Sequence, residues 1–304
     1  MKVLVTGGSG FIGHHVVQRL LERGDEVVAP VRDEAGRARV ASLGEGVEPV
    51  LAPMEYTGAL GSLVARSKPD AAVHLAWYAN PSDYRTSDEN LDSLQSTIEL
   101  TRQLVAVGCR KMVYVGTCFE YRVAEGPRRE VDPTEPRSLY AATKLAAGAV
   151  CGALAEAAGG ELAWARVFFP YGPGENPRRL LPLVARSLSA GEPVDLTEGT
   201  QVRDQVHVED VATALVRLTD AGPAGEFNVG TGVPVTMRET VETLGDLLGR
   251  KDLLRFGAYP EQTDEPPAMY ADISKLRALA WEPKYASVRD GLEASLPDYL
   301  RGNG

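Results

Sequence analysis

The chain has 304 residues, and its 44% hydrophobic and 24% charged residues are ordinary for a globular protein of one large or two smaller domains. The formal net charge of −10, from 32 basic and 42 acidic residues, argues against general affinity for nucleic acids or acidic membrane surfaces. Three cysteines without CxxC spacing and four scattered histidines predict neither a disulfide framework nor a metal site, and the lack of a leader or a long apolar run predicts a cytoplasmic protein.

Strand and helix patterns alternate through the first half of the chain. Continuous apolar runs predict strands at 3–6, 27–31, 70–76, 111–117 and 162–168. Apolar residues at helical spacing predict helices at 11–21, 59–67, 89–107 and 138–158. Apolar strands that alternate with helices are typical of a parallel sheet covered on both faces, so we expect an α/β, doubly wound fold of the Rossmann type.

The composition and pattern of the sequence change after Phe169, where a Pro/Gly-rich stretch is followed by segments that predict short helices and loops. We therefore predict a dinucleotide-binding domain over residues 1–169, which also receives segments near 203–230. Residues 170–304 are predicted to form most of a smaller, substrate-binding lobe.

Glycines at three-residue spacing follow the first strand in TGGSGFIG, at Gly7, Gly10 and Gly13. Such a turn lets the backbone approach a pyrophosphate, and the N–H groups of the following helix, which begins with Phe11 and Ile12, favour its charge. A purely structural glycine turn is the alternative. The strand–turn–helix context favours a dinucleotide site.

The second strand ends in VRDE, with Val31 where an acidic residue would bind the adenosine ribose of NAD. The next residue, Arg32, suits a 2′-phosphate. The sequence therefore favours NADP(H), with NAD(H) possible. A solvated surface charge is the alternative role for Arg32, and Asp33 is a further candidate for contact with the ribose.

Tyr140 and Lys144 stand four residues apart in YAATK, on one face of a predicted helix. A nearby ammonium group lowers the pKa of a phenol, which brings it closer to the range where it transfers protons at neutral pH. We therefore predict an acidic phenol at Tyr140.

Several motifs together resemble the extended short-chain dehydrogenase/reductases, the nucleotide-sugar epimerase/dehydratase group. They occur in the family's order and are TGGSGFIG (6–13), HLA (74–76), YAATK (140–144), YGPG (171–174) and RDQVHVED (203–210). The resemblance covers nearly the whole chain.

The resemblance implies a role for each matching residue. Tyr140 would transfer a proton at the sugar oxygen, Lys144 would hold the nicotinamide ribose, and Thr117 would hydrogen-bond the reacting oxygen. The cofactor would contact the glycine turn, Leu75 and Ala76. The substrate would contact Trp77, Thr117, Cys118, Phe119, Tyr171 and Arg203.

Some of these residues have plainer alternative roles. Arg203 resembles an arginine that binds a substrate phosphate, but a surface charge paired with Asp204 is the alternative. Trp77 and Tyr171 could equally be packing aromatics, and Cys118 a small buried side chain. Asn90 resembles the family's asparagine in the helix that precedes the strand ending at Thr117. Support of that helix alone is the alternative role.

Departures from the family pattern narrow the reaction. The family's sugar 4,6-dehydratases carry Asp-Glu directly after the threonine, whereas here Cys118 and Phe119 follow and Glu120 comes one place late. We therefore expect no dehydration. Phe169 replaces a pyrophosphate-binding asparagine, and Met54 replaces an aspartate near adenine, which implies a looser or differently bound nucleotide.

The favoured hypothesis is a 4-ketoreductase, which uses NAD(P)H to reduce a keto group on a nucleotide-linked deoxysugar. The alternatives are a nucleotide-sugar 4-epimerase with tightly bound NAD and a reductase of a non-nucleotide ketone or aldehyde. A non-catalytic protein is disfavoured because both Tyr140 and Lys144 are present. Helices 89–107 and 138–158 are expected to pair in a homodimer, as is common in the family.

Overall fold

A computed structural model describes residues 1–54, 57–221, 223–260 and 266–301. The strands are β1 (Lys2–Thr6), β2 (Glu26–Val31), β3 (Val47–Leu51), β4 (Ala71–His74), β5 (Lys111–Thr117), β6 (Glu161–Val167), β7 (Phe169–Tyr171), β8 (Val194–Asp195), β9 (Val202–Arg203), β10 (Gln205–His207), β11 (Gly225–Val229), β12 (Val235–Thr236), β13 (Leu254–Arg255) and β14 (Ala268–Met269). The helices are α1 (Phe11–Glu22), α2 (Glu34–Ala41), α3 (Thr57–Ser67), α4 (Glu89–Ala106), α5 (Leu139–Ala157), α6 (Leu180–Ser189), α7 (Val208–Ala221), α8 (Met237–Leu248), α9 (Ser274–Arg277) and α10 (Val288–Arg301).

Seven strands form one sheet in the order β11-β6-β5-β4-β1-β2-β3, and every pair in it is parallel. The order reverses direction beside β1, so the carboxyl ends of β1 and β4 border a crevice, which is where ligands bind in open α/β sheets. The predicted doubly wound Rossmann fold is confirmed.

Helices cover both faces of this sheet. On one face α1 and α7 pack together over a core that includes Val16, Leu20 and Leu215. On the other face α3, α4 and α5 enclose a second core around Leu63, Leu104 and Met112. Burial on both faces explains why the strands read as continuous apolar runs.

The C-terminal lobe has its own apolar core. It lies between α6, α8 and α10 and contains Leu181, Leu188, Leu244 and Leu292. Three small sheets border it: β10 pairs with β7, β9 lies between β12 and β14, and β13 pairs with β8. The crossover through α7 to β11 returns the chain to the large sheet.

Most predicted elements lie close to the observed ones, but the pattern assigns nothing between residue 31 and residue 59. The structure has α2 and β3 there. These elements were missed because α2 buries only Val40 and β3 carries Glu48 and Pro49 without a fully buried residue. An edge strand and a nearly solvated helix give little periodic signal.

Among the described residues, no helix has both the length and the apolar character needed to cross a membrane. Within the same part of the chain, histidine, cysteine and carboxylate side chains form no group of three or more that could hold a metal ion.

Candidate active site

The glycine turn joins β1 to α1 in a conformation that side chains would disrupt. Gly7 has a φ of +71°, and a Cβ atom there would lie 2.8 Å from the Ala76 nitrogen. A Cβ on Gly13 would lie 2.7 Å from the Gly7 carbonyl carbon and would collide with its oxygen. The turn therefore packs tightly on the start of α1 and on the end of β4.

The start of α1 suits an anion. Gly10 is its N-cap residue and contributes no side-chain hydrogen bond, so no side chain of the cap competes for the first N–H groups. Phe11 and Ile12 follow, both half-buried. The residues present fit a dinucleotide pyrophosphate, because backbone rather than side chains lines the turn.

Leu75 and Ala76 follow β4 directly and lie beside the same turn. Both backbone nitrogens donate to Thr6 Oγ1, each at 3.3 Å. This contact ties the end of β4 to the end of β1, so the two predicted cofactor-binding positions lie next to Gly7.

At the end of β2, Arg32 points into solvent, with a side chain that is 80% exposed and an Nε atom 3.5 Å from Asp33 Oδ2. Asp33 caps α2 by accepting the Gly36 N–H at 2.8 Å. Asp33 therefore has a structural role that accounts for its position.

Thr117 and Tyr140 meet at the end of β5. Thr117 is the last residue of that strand, and its side chain lies close enough to the hydroxyl of Tyr140, the second residue of α5, to lower the pKa of that hydroxyl. Ser138 caps α5 by accepting the Ala141 N–H at 3.2 Å, which fixes where the helix begins. The two predicted catalytic hydroxyls are thus brought together.

Lys144 lies one helical turn beyond Tyr140 and is only 4% exposed. Its Nζ donates to the Val115 carbonyl oxygen at 2.7 Å and lies 3.9 Å from the centre of the Trp77 ring. The predicted triad of Thr117, Tyr140 and Lys144 therefore occupies one corner of the sheet.

The predicted acidic phenol is wrong. Burial raises the pKa of Tyr140 above its ordinary value, and the neighbouring Tyr84 raises it further, while the hydrogen bond from Thr117 opposes this. Burial also lowers the pKa of Lys144 to about 7, against the attraction of Glu120. Removal from water dominates both groups, so Tyr140 retains its proton at neutral pH.

Glu120 turns away from this corner into the core. It is fully buried, accepts from Arg166 Nε at 2.8 Å and Trp164 Nε1 at 3.0 Å, and also accepts the Thr117 N–H at 2.9 Å. The carboxylate supports the turn after β5. Its charge also raises the pKa of Tyr140.

Cys118 is fully buried, and burial raises the pKa of its thiol. It was predicted to contact substrate, and that prediction is wrong because the turn after β5 directs its side chain into the sheet core. Phe119 is half-buried and packs edge-to-face on Phe169 at 5.8 Å. Phe119 therefore remains a candidate for the substrate side.

Tyr171 was also predicted to shape the substrate pocket, but only 1% of it is exposed. Its ring packs on His207 at 5.5 Å and its hydroxyl reaches the Val288 carbonyl oxygen at 3.5 Å. The prediction is wrong because α10 covers the ring, which leaves Tyr171 as a packing residue of the lobe.

Arg203 is 2% exposed and donates to the carbonyl oxygens of Val202 at 3.0 Å and Pro266 at 2.7 Å. Its guanidinium lies 5.0 Å from the centre of the Phe169 ring. Arg203 is thus not presented to a substrate phosphate, because backbone carbonyls hold it inside the lobe.

The alternative role for Arg203, a surface charge paired with Asp204, is wrong as well. Asp204 is fully buried and accepts from Thr231 N and Oγ1, both at 2.7 Å, from Gly232 N at 2.9 Å and from Ala271 N at 3.1 Å. This carboxylate joins β9 to two distant loops.

In the loop between β4 and α4, the sequence patterns pointed to Leu75, Ala76 and Trp77 but missed Tyr84 and Arg85. The Tyr84 ring packs edge-to-face on Tyr140 at 5.1 Å. Arg179, the N-cap residue of α6, lies over the same Tyr84 ring, 5.5 Å from its centre. Arg85 lies 5.1 Å from the centre of the Phe119 ring. The signal in the sequence was limited to the aromatic and basic residues of DYRTSDEN, which follow no spacing rule that would indicate a site.

Residues 3–230 match the family model described as the NAD dependent epimerase/dehydratase family. The chain belongs to this family. The similar proteins and structures are NAD-dependent enzymes of the extended short-chain dehydrogenase/reductase type, and this chain is an NAD(P)-dependent oxidoreductase of that type. A preference for NADP is not supported, since the family is described by NAD.

Similar proteins include the UDP-glucose 4-epimerase of Mycolicibacterium smegmatis, which is 32% identical over 310 residues that cover 94% of this chain and 95% of the relative. The structure of Thermus thermophilus UDP-glucose 4-epimerase in complex with NAD superimposes with a TM-score of 0.87, at 27% identity, over all of both chains. A double mutant of the Streptomyces venezuelae dTDP-glucose 4,6-dehydratase DesIV, with NAD bound, gives a TM-score of 0.88 at 29% identity, over 100% of this chain and 98% of the other.

Proposed function

We propose that this chain is a 4-ketoreductase, which reduces a keto group on a nucleotide-linked deoxysugar with NAD(P)H. The observation that carries the proposal is that Thr117 and Tyr140 lie together at the end of β5, with Lys144 one helical turn beyond Tyr140 and bonded to the Val115 carbonyl oxygen. The likeness to enzymes named for UDP- and dTDP-sugars supports the substrate class.

Each residue has a defined part in such a reduction. A reduced nicotinamide held at the glycine turn would supply the hydride to the carbonyl carbon. Thr117 and Tyr140 hydrogen-bond the carbonyl oxygen, and Tyr140 passes its proton to that oxygen as negative charge develops. Lys144 stabilises the phenolate that remains until Tyr140 takes a proton from solvent. One hydride and one proton convert the ketone to a hydroxyl group.

The protonation of Tyr140 suits the proton donor of a reduction. Burial raises the pKa of Tyr140, so it holds its proton at neutral pH. An epimerase needs the same donor when it re-reduces the ketone, so this feature serves both candidates. The absence of an Asp-Glu pair after Thr117 argues against dehydration.

A 4-epimerase is the second candidate, and the 32% identity to a UDP-glucose 4-epimerase favours it. Such an enzyme oxidises a carbinol and re-reduces the ketone from the other face, so the same three residues serve it. It retains its cofactor through the cycle.

The deciding experiment incubates purified protein with NADPH or NADH and dTDP- or CDP-4-keto-6-deoxyhexoses. In parallel, the protein is denatured and the supernatant analysed for NAD(H). Consumption of the reduced cofactor with one ketosugar supports the reductase. Stoichiometric bound NAD and interconversion of UDP-glucose and UDP-galactose, without net consumption, would replace it with the epimerase.

We also propose a homodimer through α4 and α5. These helices pack side by side on the sheet and expose Leu91 and Val150, at 51% and 40%. A groove on α4 lined by Leu91, Leu94 and Ile98 adjoins them. Light scattering should give about twice the 32.6 kDa chain mass, and Leu91→Arg should reduce it to one chain.

A further inference from the structure

Trp77 covers the ammonium group of Lys144. The Lys144 Nζ atom lies 3.9 Å from the centre of the indole ring and donates to the Val115 carbonyl oxygen at 2.7 Å. The ammonium is thus held between a strand carbonyl and the electron-rich face of an aromatic ring, an arrangement that attracts a cation. No other aromatic ring of the described residues has this contact with Lys144.

Asn90 fixes the indole in this position. The amide is fully buried, and its Oδ1 accepts the Trp77 Nε1 proton at 2.8 Å. Its Nδ2 donates to the carbonyl oxygens of Tyr84 at 2.7 Å and Ser87 at 2.8 Å. One buried amide therefore anchors both Trp77 and the loop that carries Tyr84.

Through Trp77 and the loop that carries Tyr84, the Asn90 amide is linked to both Lys144 and Tyr140. Trp77 contacts Lys144, and the Tyr84 ring packs on Tyr140 at 5.1 Å. Neither aromatic residue belongs to the motifs that identify the family in this sequence. The position of the amine and of the phenol is thus determined by a segment outside the helix that carries them.

We propose that Trp77 is a positioning residue, whose indole face fixes the Lys144 ammonium against the Val115 carbonyl while Asn90 fixes the indole. Its value to the reaction rests on the proposed function, in which Lys144 serves the cofactor and Tyr140. The contact itself does not depend on the substrate.

Protonation of Lys144 gives the proposal a measurable signature. The titratable groups whose charge influences Lys144 are His74 from β4 and Glu120 from the turn after β5, and Tyr140 lies one helical turn before Lys144 on α5. Burial lowers the pKa of His74 to about 3, so it is neutral at working pH, and Glu120 favours the charged amine. Loss of the indole face should therefore lower the pKa of Lys144.

The test follows the Cε resonances of the seven lysines by NMR in lysine-labelled protein, with Lys144→Arg to assign the Lys144 signal. Trp77→Leu should shift the midpoint of the Lys144 titration to lower pH by about half to one unit. Trp77→Phe keeps an aromatic face but loses the Asn90 bond, so its shift should be smaller. Trp281→Phe is the matched control, because Trp281 donates to Thr213 in another core and should cause no shift.

A second measurement needs no variant at position 77, and it decides the matter if Trp77→Leu does not fold. The indole ring current should move the Lys144 Hε protons upfield of those of the exposed Lys68 and Lys251 in the unaltered protein. An unchanged Lys144 titration in Trp77→Leu, or the lack of an upfield shift, would overturn the proposal. These readouts need no sugar nucleotide, so a failure of the ketoreductase assays would leave them intact and would count only against the proposed function.

Discussion

The two sides of the site are held by contacts of different range. On the cofactor side, the glycine turn closes on itself within a few residues, with Gly10 N donating to Gly7 O at 2.9 Å. On the lobe side, Arg203 donates to Pro266 at 2.7 Å, and Asp204 accepts from Ala271 at 3.1 Å. These partners lie more than 60 residues further along the chain.

The difference shows what each side depends on. The cofactor side needs glycine at fixed spacing, because the close approach is a property of the local backbone. The lobe side needs buried charges that are satisfied by distant carbonyl and N–H groups, because an unpaired buried charge is costly. A substitution on the cofactor side should therefore weaken cofactor binding. A substitution on the lobe side should lower the free energy of unfolding and leave cofactor binding unchanged.

Where the two sides meet, Tyr140→Phe should have the largest effect. It removes the proton donor but keeps the ring that packs on Tyr84. The turnover rate should fall about a thousandfold. The dissociation constant of the nicotinamide cofactor should change by no more than about twofold. Tyr78→Phe, which loses the hydroxyl's bond to Asp83 and the bond it accepts from Asn80, both exposed, should keep full activity and serves as the control.

On the lobe side, Asp204→Ala should destabilise the protein by about 4 kcal/mol, since it leaves the N–H groups of Thr231, Gly232 and Ala271 without their acceptor. Urea unfolding measures the loss. Asp195→Ala, at an exposed carboxylate, should change stability by less than about 0.5 kcal/mol. Equal losses for the two variants would contradict a structural role for Asp204.

On the cofactor side, Gly13→Ala should cost about 3 kcal/mol and weaken cofactor binding at least about tenfold, because the new Cβ meets the Gly7 carbonyl group. Calorimetric unfolding and cofactor titration measure both effects. Gly152→Ala in α5 is the control, as a Cβ there meets no atom within 4 Å. That control should gain up to about 1 kcal/mol.

Burial of Lys144 should make the free energy of unfolding depend on pH. Its pKa is about 7 in the folded chain, below its ordinary value, so the unfolded chain binds more protons between about pH 7 and 10. Stability should therefore rise with pH in that window. Relative to Lys144→Met, the unaltered protein should gain about 2 kcal/mol of unfolding free energy from pH 7 to pH 9. Lys284→Met, at an exposed lysine, should show no such difference from the unaltered protein.

The range of contacts also explains what could be predicted. The sheet, its helices, the glycine turn and the Thr117–Tyr140–Lys144 corner follow from periodicity and short motifs. Arg203 and Tyr171 were misjudged because nothing in their neighbourhood in sequence shows that Pro266 and Val288 cover them. The direction of the Tyr140 pKa was missed for the same reason, since burial is a tertiary property.

The smallest expected effect concerns Arg32, at the rim of the cofactor side. An 80% exposed guanidinium, whose ion-pair partner among the described residues is the Asp33 carboxylate at 3.5 Å, costs little to redirect toward a 2′-phosphate. If Arg32 selects NADPH, Arg32→Ala should lower the ratio of kcat/KM for NADPH to that for NADH by about tenfold. Arg37→Ala, which removes an exposed arginine paired with Glu34, should leave the ratio unchanged. A ratio that Arg32→Ala does not move would mean that the exposed arginine is only a solvated charge and that cofactor choice follows the NAD description of the family.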